Sequence, residues 1–308
     1  MPTILVTTPT GHIGARVVDR LLDVGANVRA FVRDPDRLDA GVRGRVDARA
    51  GDLQDTPTLA DAMRGADAAF LLVPPNYAAD DWRAFIRGVG RSMAEAARSA
   101  GLRRAVFLSS IGAHLPNVGP VSGLGEVEQI LRPAVADLAI LRPGYFFENA
   151  FGALGTVADA GQIFGGFDGD LTFPQVATRD IGDVAARWLL DPSWTGQPLV
   201  GVHGPRDLSM HEQAELVSQA LGRPVRYTQV PVEAVRQAMA GLGMSPSVAE
   251  NYGEMISGFA ASRYAHPDEP RTAETTTPTE FGSWAREVLR PAFEAAAARA
   301  GVREPAHA

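Results

Sequence analysis

The feature that most constrains this chain is the alternation of short apolar runs with amphipathic stretches through its first half. Ile4-Leu5-Val6 reads as a strand, and Ile13, Val17, Val18, Leu21 and Leu22 then recur at helical spacing until Gly25 stops the pattern. Further strands are expected at 28–32, 46–50, 68–73, 105–108 and 138–141, with helices at 58–64, 82–100 and 125–131. Residues 68–73 are a continuous apolar run closed by Pro74-Pro75, as expected of a parallel strand buried on both faces. Such alternation implies an α/β fold, a doubly wound parallel sheet of Rossmann type. After Tyr145 the pattern loosens. Glycine and aromatic residues crowd 161–173, a helix is expected near Asp180, a strand at 198–202 and a helix at 211–221. Residues 232–263 read as largely helical, Thr275 to Pro278 as a turn, and 280–290 as a final helix; the tail from Ala295 is Ala/Arg-rich, and its last residues are expected to fray. This half reads as a smaller, partly helical C-terminal lobe (151–308), interleaved with the sheet edge of the domain over 1–150.

The first strand–helix turn is Thr8-Pro9-Thr10-Gly11-His12-Ile13-Gly14. A dinucleotide fold needs a tight turn poor in side chains at this place. Gly11 lets the backbone approach a pyrophosphate, and Gly14 lets the helix pack on the strand. The helix N-terminus offers free N–H groups and the positive end of its dipole. The first glycine of the usual fingerprints is missing: Thr8 or Pro9 stands there, depending on the spacing. Arg33 closes the second strand, 22 residues after Gly11, where an NAD-specific fold places an acidic residue on the ribose. A guanidinium there suits the 2′-phosphate of NADP(H), with charge-assisted hydrogen bonds of about 1.5–3 kcal/mol each. The bland alternative is a solvated arginine paired with Asp34 or Asp36. Asp52, after the third strand, is a candidate for the adenine amine or for a helix N-cap.

Composition removes several chemistries. The chain has no cysteine, and all 29 of its basic residues are arginine. That excludes a Schiff-base or Walker lysine, a Tyr-x-x-x-Lys pair, a thiol nucleophile and cysteine-ligated zinc. A GC-rich genome is the bland cause of such a bias. The net charge of −7 argues against nucleic acid as a partner. The six histidines have no metal-ligand spacing, so no metal is expected. No run of 18 apolar residues suggests a membrane span, the N-terminus reads as a strand rather than a signal peptide, and a cytoplasmic location is the expectation. Oligomer formation is left open.

The segments 6–14 (VTTPTGHIG), 30–35 (AFVRDP), 71–75 (LLVPP), 109–113 (SSIGA), 141–149 (LRPGYFFEN), 178–186 (TRDIGDVAA) and 275–278 (TTTP) resemble the NmrA-like family of atypical short-chain dehydrogenases/reductases. The resemblance implies a Rossmann core, a C-terminal substrate lobe and usually NADP(H). It implies reductases of quinones, azo dyes, triphenylmethanes and benzylic ethers, and also redox-sensing regulators without catalysis. Carried over by position, Thr8, Thr10, Gly11, His12 and Ile13 would hold the pyrophosphate and Arg33 the 2′-phosphate. Pro74 and Ser109 would line the cofactor groove, and Gly144, Tyr145 and Phe146 would wrap the nicotinamide end with Asn149 nearby. Some members keep a lysine or histidine four residues before a glutamate in the helix after the fifth strand. With Glu128 as that glutamate, this chain has Leu124 there.

A reductase of a quinone-like or polycyclic aromatic acceptor needs no such basic pair, because the product anion is delocalised and can be protonated late. Tyr145 and His114 are the candidate proton donors; their alternatives are a positioning residue and an exposed loop histidine. Asn76, Tyr77, Phe164 and Phe167 are candidate substrate contacts. Tyr252, Met255 and Phe259 share one helical face, which reads equally as pocket wall or core. The expected function is an NADPH-dependent reductase of a small aromatic substrate. The rivals are a non-catalytic NADP-sensing regulator and a biosynthetic enzyme using the fold for a non-redox step.

Overall fold

The computed structural model describes residues 1–263 and 269–301. In chain order the strands are β1 (Thr3–Thr7), β2 (Asn27–Val32), β3 (Asp47–Ala50), β4 (Ala68–Leu72), β5 (Arg104–Leu108), β6 (Asp137–Pro143), β7 (Tyr145–Phe146), β8 (Gln162–Gly165), β9 (Phe173–Val176), β10 (Leu199–Val202), β11 (Asp207–Leu208) and β12 (Arg226–Gln229). The helices are α1 (His12–Asp23), α2 (Ala40–Arg43), α3 (Thr56–Met63), α4 (Trp82–Ala100), α5 (Pro120–Leu131), α6 (Leu154–Ala160), α7 (Thr178–Leu190), α8 (Met210–Leu221), α9 (Val232–Gly241), α10 (Pro246–Ser262), α11 (Phe281–Trp284) and α12 (Arg290–Gly301).

Seven parallel strands form the central sheet in the order β10-β6-β5-β4-β1-β2-β3. This is the doubly wound order, with its topological switch between β1 and β4. The strand period of two splits the apolar residues between the faces. Leu5, Ala69, Leu71 and Phe107 face the core built with α3, α4 and α5. Ile4, Val6, Phe70, Val106 and Leu108 face the core built with α1 and α7. Both sets are buried, which is why these strands read as unbroken apolar runs. Arg16 and Arg20 of α1 both hydrogen-bond Asp183 of α7, at 2.6 and 2.8 Å, and so tie the two helices of the second face together. Thus α7 and β10, although late in the chain, belong to the layers of the central sheet. The rest of the second half forms a separate core around Phe147, Phe173, Phe281 and Trp284, with the small sheets β11-β9-β7 and β12-β8.

Three expected boundaries move. Helix α5 begins at Pro120, not near Gly125. Its opening, PVSGLG, lacks a helical apolar stripe because close packing demands small residues. A Cβ on Gly123 would lie 3.2 Å from Ile86 of α4, and one on Gly125 would lie 2.1 Å from the Ala113 carbonyl. The stretch 232–263 is broken between α9 and α10, where the Ser245 hydroxyl accepts from the Val248 N–H and Pro246 takes the first helical position. The final helix passes through a π-helical stretch (Ala285–Leu289) and continues beyond Arg290 to Gly301, taking in the start of the Ala/Arg-rich tail. The last residues, 302–308, lie outside the described residues.

Candidate functional site

The turn after β1 is shaped for a bound anion. Thr8 takes the left-handed conformation, φ 55°, although it is not glycine. This is the position where the glycine fingerprint would put its first glycine, and the backbone keeps the geometry without the residue. The Thr8 carbonyl accepts from the Gly11 N–H at 3.1 Å, which closes the turn. A Cβ on Gly14 would sit 2.2 Å from the Thr8 carbonyl oxygen, so the fold itself requires that glycine. A Cβ on Gly11 would meet only that oxygen, at 3.6 Å. Gly11 therefore leaves open space at the surface rather than serving internal packing. Gly11 is the N-cap of α1, no side chain caps the helix, and its first turn has no acidic residue. With the Gly11 N–H engaged in the turn, the N–H groups of the exposed residues Thr10 and His12 and the helix dipole are placed to meet an anion. The buried Thr8 hydroxyl also has no hydrogen-bond partner among the described residues. Thr7 Oγ1 donates to the Phe70 carbonyl and accepts from the Leu72 N–H, which fixes β1 against β4 where the crevice opens.

Arg33 is exposed at the end of β2. Its expected rivals are engaged elsewhere: Asp34 accepts from the Asp36 N–H, and Asp36 pairs with Arg43 at 3.0 Å. Among the described residues the Arg33 guanidinium has neither ion pair nor hydrogen bond, so the paired alternative does not hold. The N-cap alternative for Asp52 does not hold either. Asp52 accepts from the Gln54 N–H at 2.9 Å in a local turn, and Asp55 caps α3. Asp52 stays exposed near the β2 and β3 ends, within the groove side of the sheet.

Beyond the ends of β5 and β6 lies a cavity of about 510 Å³. Its walls come from the segment after β5 (Ser110, Ile111), the start of α5, Gly144 to Phe146, the segment 149–153, the loop around β8, and helices α8, α9 and α10. Of the expected residues it gathers Gly144, Tyr145, Phe146, Asn149, Phe164, Phe167, Tyr252, Met255 and Phe259. The stripe on α10 thus serves as both wall and core, since Phe259 is also 4% exposed in the lobe's core. Met210, Met239, Met244 and Met255 join it, four of the chain's seven methionines. Methionine fills irregular apolar space with a flexible, polarisable chain. Their separation in sequence hid this cluster. None of the described lining residues is acidic, basic or histidine.

Tyr145 stands edge-on to Phe167 and Phe173, at ring distances of 6.2 and 5.7 Å. Desolvation pushes its hydroxyl up to about 12, against a smaller opposing hydrogen bond with Asn149. It is therefore a protonated hydrogen-bond donor at neutral pH. The lobe touches the turn after β1 close to the cavity wall: His12 stacks on Phe151 at 6.4 Å, and Phe151 lies between the wall residues Ala150 and Gly152.

Other expected contacts fall outside this wall. Asn76 and Tyr77 do not line the cavity. Asn76 closes a local turn on Ala78, while the Tyr77 carbonyl accepts from the Ser245 N–H and its ring packs on Trp82. Pro74 is half-buried at the end of β4, beside the switch point. Ser109 is buried, and its hydroxyl donates to Glu128 at 2.5 Å, which leaves Ser110 and Ile111 as the cavity-facing part of that segment.

Glu128 belongs to a buried ionic network that the spacing arguments missed. Its two oxygens accept from Arg142 Nε and Nη2 at 2.9 and 2.6 Å, and Arg142 Nη1 donates to Glu269 at 2.5 Å. Both carboxylate side chains are 0% exposed. Burial opposes the charge on Arg142, but the bonds to Glu128 and Glu269 outweigh it and raise the pKa above its ordinary value. The sequence signal was an arginine inside an otherwise apolar strand. His114 is a surface loop residue whose ring turns inward: its side chain is 24% exposed and Nδ1 lies 4.0 Å from Glu269. It does not line the cavity, so the geometry does not bring the two candidate donors, His114 and Tyr145, together.

A doubly wound sheet, an uncapped anion-ready helix and a separate uncharged apolar cavity define the class of a dinucleotide-binding α/β protein. The chain belongs to the NmrA-like family, which matches residues 1–278. It is 31% identical over 285 residues to an NAD(P)H azoreductase of Xenophilus azovorans, covering 92% of this chain and 94% of that one. In three dimensions it is similar to the NADPH-dependent quinone oxidoreductase QOR2 of Escherichia coli in complex with NADPH, with a TM-score of 0.78 at 18% identity, covering 93% and 99% of the two chains. It is also similar to NmrA, a negative transcriptional regulator, in complex with NADP, with a TM-score of 0.67 at 21% identity and coverage of 96% and 97%. Among the described residues no helix is long and apolar enough to cross a membrane.

Proposed function

We propose that this chain is an NADPH-dependent reductase of a small, planar, aromatic or quinone-like acceptor. The observation that carries the reading is the pairing of an uncapped, unobstructed α1 N-terminus with an uncharged cavity lined by Tyr145, with the His12–Phe151 stack close to both. The N–H groups at the start of α1 would hold the pyrophosphate, Arg33 the 2′-phosphate, and Gly144 to Phe146 the nicotinamide end. When bound, the reduced nicotinamide supplies the hydride. The chain's own part is to place the acceptor, exclude water with aromatic and methionine walls, and donate a hydrogen bond from Tyr145 to the acceptor oxygen or nitrogen. No lysine is present to depress the tyrosine, so the product anion is protonated late and from outside a Tyr–Lys pair. Delocalisation in a quinone-like product makes that sufficient. The azoreductase relative supports a reductase; the NADP-bound regulator supports the cofactor without the chemistry.

The test is titration with NADPH and NADH, then turnover with menadione. Arg33→Ala is expected to lower the NADPH preference by about ten- to a hundredfold, the loss of one or more charge-assisted bonds, with little change for NADH. An unchanged NADPH-to-NADH ratio sinks the role of Arg33. Tight NADPH binding with no oxidation across a panel of quinones and conjugated enones favours the sensing reading.

A further inference from the structure

The cavity has one polar wall whose direction is fixed by a relay of two buried amides. Gln175 in β9 and Gln213 in α8 are 0% and 2% exposed. Gln175 Nε2 donates to the Leu208 carbonyl at 3.1 Å. A carbonyl can only accept, so the Gln175 amide must turn its own oxygen toward Gln213. Gln213 Nε2 donates to that oxygen at 3.0 Å. The relay therefore ends on the Gln213 carbonyl oxygen, and Gln213 lines the cavity. No hydrogen bond from a described residue reaches that oxygen. That oxygen is open to the cavity rather than sealed in the core, so an acceptor of fixed direction stands in an uncharged, largely apolar wall where a ligand donor can meet it. The β7–β9 register places Tyr145 directly beside Gln175, which brings the donor Tyr145 and the acceptor Gln213 to the same part of the wall. Nothing among the described lining residues would neutralise a sulfonate, phosphate or carboxylate.

We propose that Gln213 determines acceptor specificity: its fixed carbonyl oxygen selects an uncharged aromatic acceptor that carries a hydroxyl or N–H donor. The inference rests on the reductase reading of the same cavity. It is tested with three ligands, an aminonaphthoquinone, its methyl counterpart menadione, and a naphthoquinone sulfonate. Dissociation constants are measured by calorimetry on the NADP-saturated protein, and kcat/KM with NADPH. Wild type is expected to bind the amino compound about tenfold more tightly than menadione, one net hydrogen bond, and the sulfonate at least tenfold more weakly. In Gln213→Met the amino-to-methyl ratio collapses toward one, and the ratio is the readout whatever the change in menadione binding itself. A wild-type ratio near one, a preference that survives Gln213→Met, or sulfonate binding as tight as menadione overturns the proposal. The wild-type comparison needs no variant and so stands even if Gln213→Met does not fold. If wild type neither binds nor reduces any of the three, the reductase reading falls and this inference with it. If it reduces all three without discrimination, only this inference falls.

Discussion

The phosphate turn and the acceptor cavity are built in opposite ways. The turn is seven consecutive residues, 8–14, whose shape depends on backbone conformation and on the absence of side chains at Gly11 and Gly14. The cavity draws its walls from short segments spread between Ser110 and Phe259, and its surface is made largely of side chains. The turn is exposed and presents a helix dipole to an anion; the cavity is apolar and carries no charge among its described residues. A contiguous element is held by local sterics, so one substitution can disable it. A dispersed element is held by the packing and by the buried network behind it, so its weak points lie outside its own walls.

Removing that support is expected to have the largest effect. Glu128→Ala leaves Arg142 paired only with Glu269 and strips the partner from Arg142 Nε and Nη2 and from the Ser109 hydroxyl, and each buried donor left unmet costs about 1–3 kcal/mol. Denaturant unfolding checks this. Loss of less than about 1 kcal/mol would mean that the network behaves like a surface ion pair and does not brace the cavity. Gly14→Ala strikes the contiguous element. Its methyl must displace the Thr8 carbonyl, from 2.2 Å, at a cost of about 1–3 kcal/mol. NADPH affinity should fall together with Tm while the cavity still binds menadione; equal loss at both places would erase the distinction between the two regions.

Tyr145→Phe tests the cavity from within. Losing one hydrogen-bond donor should lower kcat/KM for a quinone by no more than about tenfold, with NADPH binding unchanged. With the hydroxyl pushed up to about 12, the wild-type rate profile should show no Tyr145 inflection at or below its ordinary value of 10.0. An inflection there would make it a titrating acid rather than a fixed donor. The smallest effect is expected at the α1–α7 clasp. Burial opposes ionisation of Asp183, but hydrogen bonds from Arg16 and Arg20 prevail and hold its pKa below 3.8. Its contribution is therefore present above the unfolded value and lost as pH falls through the folded one. The group is 36% exposed, so Asp183→Asn should cost no more than about 1 kcal/mol near neutrality. The difference from wild type should narrow below pH 3.8; a constant difference into acid would assign the effect to packing.

The difference between the regions also explains what could be read in advance. The strand–helix alternation, the place of the turn, Arg33 at the end of β2 and the aromatic character of the lobe follow from local patterns, because period, turn chemistry and strand-end position are properties of consecutive residues. The stripe of Tyr252, Met255 and Phe259 was legible as a helical face, but whether it faced core or pocket was not. Asn76 and Tyr77 illustrate the limit. They follow a strand end, as a substrate contact should, yet a local turn and the Ser245 contact hold them outside the cavity wall.

By itself, the sequence determined the doubly wound class, the place of the glycine turn after β1, and a hard limit on chemistry: with no lysine and no cysteine, no Tyr–Lys pair or thiol can act here. Tertiary structure decided the rest. It engaged Asp34 and Asp36 elsewhere, so that no described residue pairs with Arg33, turned Ser109 into the Glu128 network, and brought four distant methionines to one cavity. It also oriented Gln213 through Gln175. The physical reason is that hydrogen bonds and burial depend on which groups meet in space. A carboxylate, amide or thioether carries no mark in the sequence of the partner it will find.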